Sequence, residues 1–435
     1  MIHATGDGEN PAGPIGTLTM ELPEDLVKGG AKVYIPSPMV VRCGAGRLLP
    51  LLLLGFAACG SEEIDTPIPI DAPFAMVSAG LLHTCGVTTT GTAYCWGWNR
   101  DGELGDGSHT DRTFPVRVSD GLTFATVSAG GGHSCGVTTV QSAFCWGFNL
   151  SGQLGDSANA AQPTPVAVAG GLAFSAVKSG GAFTCGVVWT DSTAACWGWN
   201  GRGQLGDGTK VDRNAPVTAG TGLKFIAVST GVEHTCALAT DSTAYCWGKN
   251  GYGQLGNGST ADTSRPAAVS GSRKFAAITV GFQHSCGLTA GGDAYCWGDN
   301  SAGQMGDTLR STSPVPVLVV GGQIFLALSA GGFHTCGVAT GNTAYCWGSN
   351  DGGQLGGSAP ENCLPAGAAT FVPCSRRPMP LFGTLSFATI SGGSHHTCAV
   401  TTGQLAYCWG YNSNGQLGDG TKSGSNTPVR VAAQP

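Results

Sequence analysis

Residues 93–105, AYCWGWNRDGELG, decide the fold, because their pattern recurs throughout the chain. Each copy joins Cys-Trp-Gly-x-Asn to a Gly-x-Leu-Gly turn, and Met305 is the one replacement of the leucine. A fixed period of about 50 residues indicates one structural unit repeated many times rather than several unrelated domains. The seven tryptophans of the pattern are Trp96, Trp146, Trp197, Trp247, Trp297, Trp347 and Trp409.

The composition favours short strands and tight turns. The chain has 72 glycines and 23 prolines, and only 11% of its 435 residues are charged. Each copy contains four strand-like segments, which in the first copy are 74–77, 83–87, 93–96 and 115–118. Four strands in each of seven units predict an all-β fold, a seven-bladed β-propeller of four-stranded repeats over 74–435.

A propeller must join its last blade to its first. Free sheet edges invite unwanted pairing, so closed rings usually cover them. We expect the final strand, 428–431, to pair with the first, 74–77, and thereby to close the ring.

Eighteen cysteines in a regular pattern favour an oxidising compartment. Fourteen form pairs ten or eleven residues apart, a spacing that places both sulfurs on one face of a hairpin. Each such disulfide is worth about 2.5 to 3 kcal/mol by loop-closure entropy. A tetrahedral metal site, which needs cysteines two to four residues apart, and reduced buried thiols are the alternatives. The predicted bonds join Cys85 with Cys95, Cys135 with Cys145, Cys185 with Cys196, Cys236 with Cys246, Cys286 with Cys296, Cys336 with Cys346 and Cys398 with Cys408.

Two places depart from the regular spacing. Cys185 and Cys196 are eleven residues apart, so the turn at 188–192 must absorb one residue to keep both on one face. Between the sixth and seventh copies the period lengthens, and the insertion 358–377 contains Cys363 and Cys374. We expect these two cysteines to bridge each other.

The N-terminal region carries an export signal. Residues 48–58, LLPLLLLGFAA, form an apolar run that is too short to span a bilayer and ends in small residues. We predict an upstream extension foreign to the native protein at 1–38, a signal peptide at 39–58 and a flexible, acidic and proline-rich tether at 59–73.

The end of this run, Phe56-Ala57-Ala58-Cys59, resembles the lipobox of bacterial lipoproteins, except that the usual leucine is Phe56. The resemblance implies acylation of Cys59, and ordinary cleavage near Ala57 or Ala58 is the alternative. The expected location is the bacterial outer membrane or cell surface, with contact to the membrane only through this anchor, or the secreted fraction.

The repeat resembles the regulator of chromosome condensation family over 74–431. The shared signature joins Gly-x-x-His-Thr to Trp-Gly-x-Asn-x-x-Gly-Gln-Leu-Gly. The resemblance implies a seven-bladed propeller, but not one activity, because the family includes a nuclear guanine-nucleotide exchange factor and secreted bacterial inhibitors of β-lactamase. The cysteine pair in every copy, which the nuclear members lack, indicates a secreted bacterial type and argues against exchange activity.

The recurring polar residues are expected to be structural, and we predict neither a metal ion nor another cofactor. A catalytic histidine is usually exceptional, whereas six copies place one two residues before the first cysteine and Phe183 replaces it in the third. The aspartate after the Gly-x-Leu-Gly turn is expected to stabilise the turn rather than to bind calcium. The histidines are His83, His133, His234, His284, His334 and His396, and the aspartates are Asp106, Asp156, Asp207, Asp307 and Asp419.

The variable residue of Trp-Gly-x-Asn is the candidate binding position. It is aromatic in copies one to three and seven, which are consecutive if the ring closes, and an exposed aromatic crescent is typical of an interaction site. The alternative is a buried packing position, but polar residues at equivalent sites favour exposure. The aromatic residues are Trp98, Phe148, Trp199 and Tyr411, and the others are Lys249, Asp299 and Ser349.

These observations predict an exported, lipid-anchored and monomeric binding or inhibitory module for a protein, peptide or glycan. A net charge of −6 without a basic run argues against nucleic acid. No Ser-His-Asp set or phosphate loop stands out, so we do not expect an enzyme. The alternatives are an envelope lyase or glycan hydrolase with its site at the central channel and, less favoured, an exchange factor.

Overall fold

The computed structural model describes residues 67, 69–119, 121–309, 311–381 and 383–435. Within this part of the chain the strands form seven antiparallel sheets, which follow one another in sequence as the blades of a propeller. The seven-bladed, all-β prediction is therefore confirmed. The predicted extension at 1–38, the signal peptide at 39–58, Cys59 and most of the tether lie outside the described residues.

The first four blades are regular, and each contains four strands in sequence order. The first blade consists of β1 Phe74–Ala79, β2 His83–Thr88, β3 Ala93–Gly97 and β4 Arg112–Arg117, and the second consists of β5 Phe124–Ala129, β6 His133–Thr138, β7 Ala143–Gly147 and β8 Gln162–Ala167. The third blade consists of β9 Phe174–Ser179, β10 Phe183–Val188, β11 Ala194–Gly198 and β12 Arg213–Ala219, and the fourth consists of β13 Phe225–Thr230, β14 His234–Ala239, β15 Ala244–Gly248 and β16 Thr263–Ala268.

The sixth blade has five strands because the insertion adds β24 outside β25. The fifth blade consists of β17 Ala277–Val280, β18 His284–Leu288, β19 Ala294–Asp299 and β20 Thr312–Leu318, the sixth of β21 Phe325–Ala330, β22 His334–Ala339, β23 Ala344–Ser349, β24 Glu361–Cys363 and β25 Val372–Pro380, and the seventh of β26 Phe387–Gly392, β27 His396–Thr401, β28 Ala406–Gly410 and β29 Ser425–Arg430.

The hydrophobic core lies between blades rather than within them. The cluster around Trp146 combines Cys85, Val87 and Leu104 of the first blade with Phe124 of the second. Each blade therefore depends on its neighbours for burial of its apolar side chains, as in other repeat folds. Phe74 and Trp96, whose ring centroids are 5.9 Å apart, belong to a cluster that also contains Leu417 of the seventh blade.

The ring closes by packing of the seventh blade against the first. Ala79 N–H donates to Ser391 Oγ (3.0 Å), and the Ile70 amide donates to the Ala433 carbonyl (2.9 Å). The predicted pairing of 428–431 with 74–77 is wrong, because β29 pairs with β28 and β1 pairs with β2. Side-chain packing and these few bonds join the two blades without an exchanged strand.

The seven predicted hairpin disulfides are present, and each joins the second and third strands of its blade. In six of the blades the bonded cysteines are ten residues apart and lie directly opposite each other in the register of the two strands, as the spacing predicts. These six bonds join Cys85 with Cys95, Cys135 with Cys145, Cys236 with Cys246, Cys286 with Cys296, Cys336 with Cys346 and Cys398 with Cys408.

The two irregular cysteine pairs are bridged as well. Cys185 is bonded to Cys196 and lies directly opposite it, and the extra residue is taken up in the turn, where Ser192 has a φ of 59°. Cys363 is bonded to Cys374 in the insertion, and this disulfide fixes β24 to β25. Both expectations for the irregular pairs are thus confirmed.

Candidate functional site

The two ends of the ring carry different loops. Because the strands of a blade are antiparallel, the loop between its first two strands and the loop between its last two emerge at one end. In the first blade these are 80–82 and 98–111, and we call this end the loop face. The turn 89–92 and the link 118–123 emerge at the opposite end, the turn face.

An asparagine holds each long loop of the loop face in place. Asn99 is buried, its Oδ1 accepts the Leu104 amide (2.9 Å), and its Nδ2 donates to Asp106 and to loop carbonyls. Asp106 also accepts the Ser108 amide (2.9 Å). The aspartate thus shapes a turn by side-chain to backbone bonds, which explains the Trp-Gly-x-Asn and Gly-x-Leu-Gly pattern.

Each junction between blades is built around one backbone carbonyl. The Glu103 carbonyl accepts Trp146 Nε1–H and the Ser134 hydroxyl, both at 2.9 Å. Gly105 follows with a φ of 69°, and a Cβ there would lie 2.8 Å from Trp146 Nε1, so only glycine lets the tryptophan approach. The same carbonyl contacts recur at all seven junctions.

The repeated histidines bond to the next blade and are not available for catalysis. His133 Nε2 lies 2.8 Å from Thr184 Oγ1, whose hydrogen is donated to the Gln153 carbonyl. The histidine must therefore donate Nε2–H, which leaves Nδ1 unprotonated and, in this structure, without a partner. Burial lowers the pKa of His83 to about 4 and the pKa of the other five to about 3, so all six are neutral at pH 7.

The four predicted aromatic residues lie on the loop face of four consecutive blades. Trp98, Phe148 and Trp199 are half-buried, and Tyr411 is 41% exposed. Their backbone amides donate to carbonyls of the neighbouring loops, for example Trp199 to Ala182 (2.9 Å) and Tyr411 to His395 (2.9 Å). The rings are therefore presented from fixed backbone positions.

The predicted exposure of the polar equivalents is wrong for two of the three. Asp299 and Ser349 are buried, and Asp299 accepts bonds from Ser301 and from Gln304 Nε2 (2.7 Å). Burial raises the pKa of Asp299. A small polar side chain here folds down onto its own loop, whereas a large aromatic ring does not fit there and stays partly in solvent.

The sequence analysis did not identify a second aromatic group on the loop face. Phe282, Phe333 and His395 contact one another in a row across blades five to seven, edge-to-face in the first pair and tilted in the second, with ring centroids 5.6 Å and 6.3 Å apart. They lie in the loops just before the repeated histidine, where variation in the Gly-x-x-His segment is the signal that could have revealed them. We call these three residues and the four above the aromatic arc, which extends over six blades.

The fourth blade interrupts the arc with charges. Glu233 pairs with Lys249 and with Arg202 (3.6 Å), and Arg202 also lies 3.9 Å from Asp262. All four side chains retain solvent exposure, so their mutual attraction is weak and screened. The aromatic arc is therefore interrupted at the fourth blade by a group of paired charges.

The insertion raises one side of the loop face. The tip of the β24–β25 hairpin carries Leu364 and Phe371, which are 45% and 69% exposed. The Ala366 amide donates to Ser301 Oγ of the fifth blade (2.7 Å), and Arg376 pairs with Glu361 (2.8 Å). The disulfide and these bonds hold the tip at a defined place.

Among the described residues, no group of three or more His, Cys, Asp or Glu side chains is arranged to hold a metal ion. A search of the same residues finds no helix long and apolar enough to cross a membrane. The fold and the loop face together define a disulfide-stabilised β-propeller that presents an aromatic surface.

The chain belongs to the RCC1-like domain family, whose model matches residues 119–435, more than two thirds of its length. The regulator of chromosome condensation (RCC1) repeat also matches residues 90–137. The Arabidopsis thaliana ultraviolet-B receptor UVR8 is 54% identical over 44 residues, and the Homo sapiens RCC1 domain-containing protein 1 is 34% identical over 112 residues. These matches span only 10% and 25% of those proteins and 10% and 26% of this chain.

Solved structures share the architecture at low identity. Human WBSCR16 superposes with a TM-score of 0.69 at 19% identity, covering 78% of this chain and 94% of that one. Yeast RCC1 (Prp20), solved with Kap60 bound, gives a TM-score of 0.68 at 18% identity and covers 90% and 91%. At this identity the likeness establishes the fold alone.

Proposed function

We propose that this chain is an exported protein-binding module that recognises its partner with the loop face. The observation that carries the proposal is the aromatic arc, whose members occupy consecutive blades of a closed ring. Aromatic side chains dominate the energetics of protein interfaces, and they lose little conformational entropy on binding. Yeast RCC1 (Prp20), which has the same fold, was solved with the protein Kap60 bound.

Rigidity of the ring supports the same function. Eight disulfides and seven repeated junctions fix the loops before a partner arrives. Preorganisation lowers the entropic cost of association, so a partly exposed surface of this kind can bind tightly without further folding. The disulfides also support export, because such bonds persist in oxidising compartments.

A lipid anchor at Cys59 would leave the loop face free. Asp71, near the start of the described chain, accepts the Thr92 hydroxyl (2.6 Å) of the β2–β3 turn, so the chain enters the propeller at the turn face. Cys59 and Ile70 are eleven residues apart in sequence, so the chain between them reaches at most about 40 Å. We infer that an anchor at Cys59 is connected to the propeller through the turn face.

The test is capture of a partner by the disulfide-bonded full chain from a cell-envelope extract, followed by affinity measurement with variants. Trp98→Ala and Trp199→Ala should each weaken binding about 5- to 150-fold, the range for loss of an aromatic anchor. The matched control is Trp189→Ala, because Trp189 is 58% exposed in the same third blade but on the turn face. Equal affinity of all three variants, or loss only with Trp189→Ala, would overturn the proposal.

The anchor needs its own experiment. Cys59→Ala should move the protein from the membrane fraction to the soluble fraction while leaving the affinity for the captured partner unchanged, because Cys59 is not a member of the aromatic arc. Unaltered membrane partitioning would rule out acylation of Cys59 as the anchor, without affecting the assignment of the binding face.

A further inference from the structure

The first strands of the seven blades line the axis of the ring, and six of them carry a hydroxyl at the same position. Hydrogen bonds join successive first strands, as from Ser179 N–H to Ser128 Oγ (3.0 Å) and from Ala330 N–H to Thr279 Oγ1 (2.9 Å). In the third blade this position is Lys178. The hydroxyl residues are Ser78, Ser128, Ser229, Thr279, Ser329 and Ser391.

Five of these hydroxyls have a hydrogen to donate. Each accepts an amide from the next blade at 2.9 to 3.1 Å, and none is a donor in any bond within the described residues. A hydroxyl can donate one bond while it accepts another. The inner wall therefore offers several unused O–H donors close to the axis.

Lys178 cannot replace the hydroxyl, because an ammonium has no acceptor for the amide of the next blade. The long side chain is solvent-exposed, although it starts from the innermost strand of a closed ring. Within the described part of the chain it makes neither an ion pair nor a hydrogen bond. The surrounding protein lowers the pKa of Lys178 by desolvation. The Lys178 side chain is accessible to water although protein surrounds it, and it therefore extends into the axial channel.

The first strands contain no charge to neutralise this lysine. Lys178 is the one charged residue in the seven segments β1, β5, β9, β13, β17, β21 and β26. An ammonium that is partly desolvated by the surrounding protein and has no counter-ion is unfavourable, and a bound anion offsets that penalty. The inner wall is thus rich in donors and carries one positive charge.

Lys178 lies close to the loop face. It is followed by Ser179, the last residue of β9, and by the loop 180–182. The Ala182 carbonyl of that loop accepts the Trp199 amide of the aromatic arc (2.9 Å). A group entering the channel from the loop face would meet Lys178 soon after passing the arc.

We propose that Lys178 and the hydroxyls of the inner wall form an anion site at the loop-face end of the channel, and that its ligand is a carboxylate. A single ammonium balances one negative charge, and hydroxyl donors complete the bonds that carboxylate oxygens accept. The carboxylate belongs either to a small free acid or to an acidic side chain of a bound protein. The site itself does not depend on the aromatic arc.

The experiment uses lysines dimethylated with ¹³C-formaldehyde, which keep their charge and give resolved methyl resonances. Acetate is titrated into the full chain, and a capped Gly-Glu-Gly peptide is titrated separately against its Gly-Gln-Gly counterpart. The Lys178 resonance should shift and saturate with acetate or with the glutamate peptide, but not with the glutamine peptide. Response to acetate identifies a small-acid site, whereas response to the glutamate peptide alone identifies a site for an acidic side chain. The exposed Lys210 should not saturate.

Lys178→Ser supplies the matched variant, because serine occupies this position in five other blades. It should fold with an unchanged or higher melting temperature and bind the responsive probe at least tenfold more weakly when followed by calorimetry. The proposal fails if Lys178 responds to no carboxylate, if Lys210 responds equally, or if Lys178→Ser binds as well as the parent. Any of these results would leave the Trp98 and Trp199 experiment unaffected, so failure of one proposal is distinguishable from failure of the other.

Discussion

The junction between blades three and four lacks the histidine that the other six junctions have. Six junctions place a histidine against a hydroxyl of the next blade, as His133 does with Thr184 (2.8 Å). The third blade has Phe183, which is fully buried in the same place, and Thr235 still donates to the Gln204 carbonyl (2.9 Å). The third blade thus keeps a buried planar ring at the junction without the hydrogen bond that the histidines make.

The largest expected effect is acid destabilisation by the six histidine junctions. Their pKa values are about 3 to 4 in the fold and about 6.5 when unfolded, so the unfolded chain binds more protons between these limits. Stability is fully present above pH 6.5 and falls as the pH drops, by about 1.4 kcal/mol per pH unit for each histidine. The free energy of unfolding by guanidinium should therefore differ by on the order of 10 kcal/mol between pH 7.5 and pH 5. Equal midpoints would show that the histidines are not buried as neutral rings.

Removal of one buried histidine side chain should have the next largest effect on stability. His133→Ala removes the donor to Thr184 and leaves a cavity, and it should cost about 2 to 4 kcal/mol in free energy of unfolding. His133→Phe copies the third blade and should cost markedly less. If both variants lose the same free energy, the hydrogen bond rather than the ring is the essential part of the junction.

Glu103 is expected to change the stability with pH in the direction opposite to that of the histidines. It is buried where the six other blades have glutamine, and burial raises its pKa to about 8. The folded chain then binds the extra proton between pH 4.5 and 8, so stability falls as the pH rises through this window. Glu103→Gln should stabilise by an amount that grows to on the order of 3 kcal/mol at pH 8.

The converse variant is the control for Glu103. Gln153→Glu places the same carboxyl in the second blade and should lower the melting temperature at pH 8 more than at pH 5. A gain from Glu103→Gln that is independent of pH would mean that the carboxyl is ionised in the fold.

The smallest expected effect is that of Phe183→His, which restores the common junction. Thr235 is available as an acceptor, and the change should stay within about 1 kcal/mol at pH 7.5 because one bond is gained and apolar burial is lost. The sharper readout is pH dependence, since the variant should lose stability between pH 7.5 and pH 5 faster than the parent. An unaltered pH dependence would mean that this junction does not bury the new ring in its neutral form.

The strands and the hairpin disulfides could be predicted because their signals are local. The register that places Cys85 opposite Cys95 depends only on a few neighbouring residues. Ring closure could not be predicted in this way. It depends on the packing of β1 against the seventh blade. The residue pattern alone is compatible with several ways of closing the ring.

The candidate site was predictable in part. The positions of Trp98 and Trp199 on the loop face follow from the repeat, but the burial of Asp299 depends on Ser301 and Gln304, which capture its carboxylate. The edge-to-face contact of Phe282 with Phe333 joins residues of different blades. Such contacts between repeats are set by the geometry of the ring and carry no periodic signal of their own.

Hydrogen–deuterium exchange of the captured complex tests the central claim, that the loop face binds, most directly. The account predicts slower exchange on binding in the loops 98–108 and 199–209, while the turns 89–92 and 189–192 of the same blades exchange as in the free protein. Protection confined to the turn face, or no protection of either long loop, would contradict it.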